Sequence, residues 1–225
     1  PEDPAAHLGT SWIRLNTGWA KNRDGSYKWG IDEDIERAHK SGMWVFVCIY
    51  PKLKTLSKVK GSNKLRYPQT EKELKELSDY MAAFAKRYKG KVKAFQLDNE
   101  VDIGFKPYLP PKIYAKAFEA FRKGVKSVDE KLLALPFGMQ LGSKQMENYW
   151  PEIKKLGVVP DGWDVHFHPS VGKSRNLPYY LGKVKKVLGK KSKAQLFVTE
   201  CSTFSGLVTA GASKGESQTE AQQAI

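Results

Sequence analysis

Two glutamates a hundred residues apart are the first groups in this sequence whose type and placement suggest chemistry. "AFQLDNEVDIGF" (94–105) begins as an apolar strand and ends in Asp98, Asn99 and Glu100, side by side. "QLFVTECS" (195–202) is a second apolar run, and Glu200 lies at its end. Burying strand-end acids without a task is costly. Two carboxylates facing each other across a cleft suit cleavage of a glycosidic bond, one as acid and the other as nucleophile or base. A separation of about 5 Å goes with retention at the anomeric carbon, and about 6.5–9.5 Å with inversion. The alternative is a pair of ion-paired structural acids. By two-residue alternation Asp98 shares the face of Glu100 but sits deeper.

Other polar residues gather at strand ends. Arg14 and Asn16 close "SWIRLN", Gln140 follows "LLALPFG", and His166 and His168 close "WDVHFH". The two histidines share one strand face and can both point into a cleft. His-x-His also occurs in metal-dependent barrels, but with further ligands, and the remaining histidines, His7 and His39, fall on expected helices. No metal or cofactor is expected. Cys48 and Cys201 are too few for a disulfide framework and wrongly spaced for zinc, so both should pack as small apolar residues. Trp19, Trp29, Trp150 and Tyr108 stand in or near loops where rings can stack on sugars, and Trp19 joins the candidate site. Trp12, Trp44 and Trp163 read as core.

The elements that must hold these groups alternate from end to end. Six apolar runs, at 11–16, 43–50, 92–99, 132–138, 163–168 and 195–200, have the length and composition of buried parallel strands. Helices with legible ends lie between them. Thr70 and Glu73 form a capping box before Leu74, Leu77, Met81, Phe84 and Tyr88, and Gly90 closes that helix. Residues 111–127 put Tyr114, Ala117, Phe118, Phe121 and Val125 on one stripe. "IDEDIERAHKSG" has acids in its first turn and Gly42 as its stop. "SKQMENYWPEIKKLG" and "PYYLGKVKKVLGK" fill two further gaps, and Ser217 with Glu220 forms a second capping box for a last helix.

Such alternation means right-handed crossovers and a parallel sheet. Neither GxGxxG nor GxxxxGK[ST] is present, as an open nucleotide-binding sheet would favour. Polar residues at the strand C-termini point to a closed barrel. The expectation is a TIM (β/α)8 barrel segment covering strands two to seven, with the first and last missing, and residues 1–225 as one incomplete catalytic domain.

At 225 residues, 40% hydrophobic and 28% charged, the chain reads as globular. No apolar run approaches the roughly 20 residues of a membrane span, and no signal peptide follows Pro1. The net charge of +14 suits an acidic partner such as nucleic acid or a uronate-bearing polymer, or simply a lysine-rich solvated surface. Lysines on helix faces and turns favour the latter. Acids at a barrel mouth repel phosphate, which argues against nucleic acid; the partner that glycosidic cleavage would call for is an oligo- or polysaccharide.

"QLDNE" on strand four with "VTE" on strand seven resembles the clan A glycoside hydrolases, the retaining (β/α)8 enzymes. "LGTSWIRLNTGW" is similar to the clan's second strand with its arginine, "DEDIERAHKSGMWVFVCIYP" to the following helix and third strand, and "QTEAQQAI" to the helix after the nucleophile strand. The resemblance implies that Glu100 is the acid/base, Glu200 the nucleophile, and Asn99 a partner of the sugar 2-hydroxyl. Arg14 would stand beside Glu200 and favour its anion, while Glu100 carries a proton, and His166 or His168 would orient the nucleophile. The implied activity is hydrolysis of a β-linked glycan by double displacement, and the rival is a barrel of the same fold that binds carbohydrate without turnover. Val101 stands where some families have Pro, and strand six ends in histidines without a Tyr.

Overall fold

The computed structural model describes residues 11–51, 67–101, 109–141, 146–168, 177–189, 195–201, 204–205 and 217–218. Strands β1 (Trp12–Gly18), β2 (Trp44–Tyr50), β3 (Val92–Leu97) and β4 (Leu133–Leu135) form one sheet in chain order, all parallel. β5 (Met139–Gln140), β6 (Gly162–Phe167) and β7 (Gln195–Cys201) form a second parallel sheet, also in chain order. An isolated parallel bridge between Asn99 and Gly138 carries pairing beyond β4. The Arg14 side chain on β1 reaches the Glu200 side chain on β7, so the outermost of these seven strands face a common interior. This is the expected α/β-barrel arrangement.

The expected strand at 132–138 is split. Pro136 has no N–H to give a ladder, so β4 stops at Leu135, and pairing resumes with the Gly138 bridge and β5. Helices α1 (Asp32–Lys40), α2 (Glu71–Arg87), α3 (Pro111–Lys126), α4 (Met146–Lys155) and α5 (Leu177–Leu188) fill the expected gaps. In α2 both halves of the Thr70–Glu73 capping box form. Ser217 lies in a two-residue strand, β9 (Ser217–Gln218), paired with β8 (Phe204–Ser205), in place of the expected helix cap, and Glu220 falls outside the described residues.

The stripes of α2 and α3 pack on each other and on the sheet, with Leu77, Met81, Phe84, Tyr114, Phe118 and Phe121 buried. Gly124 permits the close approach, since a Cβ there would stand 2.2 Å from the Ser78 carbonyl oxygen. A separate cluster of Phe46, Ala94 and Leu135 lies against Phe197 and Leu133. Cys48 is buried as expected, and burial pushes its thiol up to about 12. Trp163 is core, but Trp12 and Trp44 are not, at 44% and 37% exposed. They oppose each other at the starts of β1 and β2, and Lys93 Nζ sits 4.0 Å from the Trp44 ring centroid. No helix among the described residues is long and apolar enough to cross a membrane.

Candidate active site

Alternation along a strand sends every second side chain to one face. Arg14 on β1 and Gln96 on β3 use this rule to meet, and Gln96 Oε1 accepts from Arg14 Nε at 3.1 Å and Nη2 at 3.0 Å. Nη2 also donates to Asn99 Oδ1 at 2.7 Å, and Nη1 donates to Glu200 Oε1. One planar guanidinium thus ties β1, β3 and β7 together, using the fork geometry that distinguishes arginine from lysine.

The end of β3 departs from alternation. Asp98 has φ +65° and Glu100 φ +46°, both in the left-handed region. Asp98 turns inward and is fully buried, and its Oδ1 accepts from the Asn99 N–H at 2.8 Å. The Glu100 N–H donates to the Gly138 carbonyl at 3.1 Å. Asn99 and Glu100, neighbours that a flat strand would send to opposite faces, both reach the cleft.

His166 and His168 share one side as expected. His166 Nδ1 lies 2.8 Å from Glu100 Oε1 and 3.5 Å from Glu200 Oε2. His168 Nε2 is 3.8 Å from Glu200 Oε2. His166 is wholly buried, whereas Glu100 and Glu200 are part-exposed. The ring fits because residue 138 is glycine; a Cβ there would stand 1.9 Å from His166 Nε2. Gln140, opposite His166 in the β5–β6 register, is half-buried beside it.

Three groups escaped the sequence reading. Gln96 was hidden as a polar residue inside an apolar run. Asp164 is fully buried one alternation step before His166, and burial pushes its carboxyl up to about 8 against the opposing pull of the Thr199 hydroxyl and Arg14. Thr199 is the extra residue of a bulge, since Val165 pairs with Val198 and His166 with Glu200. That bulge brings its hydroxyl to the inner side, 2.8 Å from both Asp164 oxygens and 3.2 Å from His166 Nε2.

Trp19 is corrected by the structure. It is only 6% exposed and stacks on Tyr80 at 5.9 Å, because its backbone N–H is tied to the Tyr50 carbonyl and turns the ring into the core. Trp29 stacks on Tyr80 from another side, and Trp150 is buried against Trp163. Tyr108 lies outside the described residues.

Glu100, His166, His168 and Glu200 each offer an atom within 4.8 Å of the others, a donor set that could also hold a divalent ion. Arg14 places a fixed positive charge on Glu200, which opposes a cation there, so the arrangement is better matched to paired-carboxylate chemistry.

No protein-family model and no curated protein matches the chain. Solved structures do. A family 39 glycoside hydrolase from Bacteroides cellulosilyticus WH2 superposes with TM-score 0.68 at 17% identity, over 88% of this chain and 44% of its own. A glucosidase from Croceicoccus marinus gives 0.68 at 13%, over 92% and 48%. Fungal β-1,4-galactanases give 0.66 at 16%, over 96% and 68%. The chain spans about half the length of the first two. What the chain shares with these neighbours is the fold, the parallel α/β barrel.

Proposed function

We propose that the chain belongs to a retaining glycoside hydrolase that cleaves a β-linked oligo- or polysaccharide, with residues 1–225 lying in one catalytic barrel. The observation that carries this reading is that Glu100 and Glu200 bring oxygen atoms within 4.8 Å of each other at one end of the strands. A close pair of this kind suits retention, where a nucleophile must touch the anomeric carbon and an acid the departing oxygen.

Glu200 is the nucleophile. Arg14 complements its negative charge and aligns the carboxylate by holding one oxygen, while the other stands 3.5 Å from His166 Nδ1 and 3.8 Å from His168 Nε2. Glu100 protonates the leaving oxygen and then takes a proton from the water that hydrolyses the glycosyl-enzyme. Asn99 keeps its amide N–H free of the arginine, which takes its oxygen, so the amide can donate to a sugar hydroxyl. Gln140, His166 and His168 line the same side.

Turnover of activated aryl β-glycosides tests the assignment. Glu200→Gln should abolish it, by about 1,000-fold or more. Glu100→Gln should spare the first step for good leaving groups and slow it for poor ones. Wild-type rates in both variants contradict the reading, and tight sugar binding with no turnover by the wild type favours a binding barrel.

A further inference from the structure

Only one edge of the His166 ring faces Glu100. The other edge faces Thr199 and Asp164, which the reaction above does not use. Nε2 lies 3.2 Å from Thr199 Oγ1, and that hydroxyl lies 2.8 Å from both carboxyl oxygens of Asp164. With Nδ1 2.8 Å from Glu100 Oε1, the four side chains make an unbroken hydrogen-bonded line from the barrel interior to the cleft. Both inner members, Asp164 and His166, have no exposed surface, so water does not compete along the line.

We infer that Asp164 and Glu100 share one proton through Thr199 and His166, and that Thr199 and Asp164 are positioning residues for the acid. The inference deepens the glycosidase reading and takes its assignment of Glu100.

Protons balance in the exchange. In one arrangement Asp164 is protonated and donates to Thr199 Oγ1, the hydroxyl donates to Nε2, and Nδ1–H donates to the Glu100 carboxylate. In the other, each proton has advanced one step: the hydroxyl donates to the Asp164 carboxylate, Nε2–H donates to Oγ1, and protonated Glu100 donates to bare Nδ1. The proton count is the same in both, so no external acid or base is consumed. An imidazole in the middle suits this, because its two nitrogens exchange donor and acceptor roles.

The surroundings of Asp164 supply the inner end. Burial lifts it to about 8, so it holds a proton at neutral pH. Thr199 touches it and His166 Nε2 lies 4.0 Å away, while Arg14 from β1, Cys48 from β2 and Glu200 from β7 act on it electrostatically. Arg14 favours the carboxylate and Glu200 the acid.

The test follows isotope-labelled Asp and Glu carboxyl carbons by NMR through pH, with Asp164→Asn and Glu100→Gln giving the assignments. In the wild type both signals should respond in one common step. In Thr199→Val, which keeps the shape and removes the hydroxyl, Glu100 should drop out of that step, and Thr199→Ser should restore it. A wild-type Glu100 signal indifferent to the step in which Asp164 titrates overturns the inference, as does an unchanged common step in Thr199→Val. Should the valine variant fail to fold, the wild-type spectra still decide. Kinetically, the alkaline limb of kcat/KM should move about one pH unit toward acid in Thr199→Val and stay in place in Thr199→Ser. Failure of the glycosidase reading would appear separately, as full turnover by Glu200→Gln, and would leave the NMR result standing.

Discussion

Glu200 stays within the extended run of β7, whereas Glu100 leaves β3 on a backbone at φ +46°, just after Asp98 at φ +65°. Left-handed non-glycine residues cost on the order of 1–2 kcal/mol each, so the β3 end is the strained one. Their partners differ in the same sense. Glu200 has the permanent cation of Arg14, while Glu100 has the imidazole of His166, which can either give or receive a proton. A retaining mechanism needs this inequality, one carboxyl kept charged and the other able to carry a proton. Position at a strand end supplies the two acids; their neighbours make them unequal.

Removing the cation should collapse the difference most. Arg14→Met leaves Glu200 without its charge partner and strips the donors from Gln96 and Asn99, so kcat should fall about 100- to 1,000-fold. Arg14→Lys should not rescue it, since one ammonium cannot reproduce the fork. A change under about threefold for the methionine variant, in steady-state assays, would break the comparison.

Two glycines sharpen it next. Gly138→Ala drives a Cβ to 1.9 Å from His166 Nε2, and Gly124→Ala drives one to 2.2 Å from the Ser78 carbonyl between α2 and α3. Each overpacking should cost about 1–3 kcal/mol of stability. Only Gly138→Ala should also lower kcat, by about 10-fold or more, because it moves the group that serves Glu100. Thermal melting and turnover, measured together, distinguish scaffold from site.

The smallest expected effect is a pH slope. Asp164 rises from 3.8 to about 8 on folding, so the folded protein binds that proton more tightly than the unfolded chain. Its contribution to stability is therefore full below about pH 4 and is lost as pH rises through about 8. Relative to Asp164→Asn, the wild type should lose stability across that window, read as the denaturant midpoint against pH. A parallel pair of curves would show that Asp164 ionises freely.

Much of this was legible in the sequence, and the gaps have definite causes. Apolar runs bounded by Thr70, Gly42 and Gly90 located the strands and helices, and the two glutamates stood out because acids seldom end apolar runs without a role. Arg14, Asn99, Gln140, His166 and His168 came together where the barrel register placed them. Thr199 was invisible because plain alternation turns it from the cleft, and only the bulge opposite Val165 and His166 brings it back. The turn at Asp98 depends on left-handed φ values that nothing in "QLDNE" announces, there being no glycine in it. Trp12 and Trp44 misled because large aromatics at strand starts look like core, yet these lie at the exposed N-terminal ends of β1 and β2.

Mass spectrometry of the protein treated with activated fluorosugar aryl β-glycosides, which slow release of a glycosyl-enzyme, tests the central claim most directly. The account predicts a stoichiometric covalent sugar on the peptide bearing Glu200, absent in Glu200→Gln. A sugar attached to any other residue, or steady turnover of aryl glycosides by a protein that never becomes labelled, would contradict it.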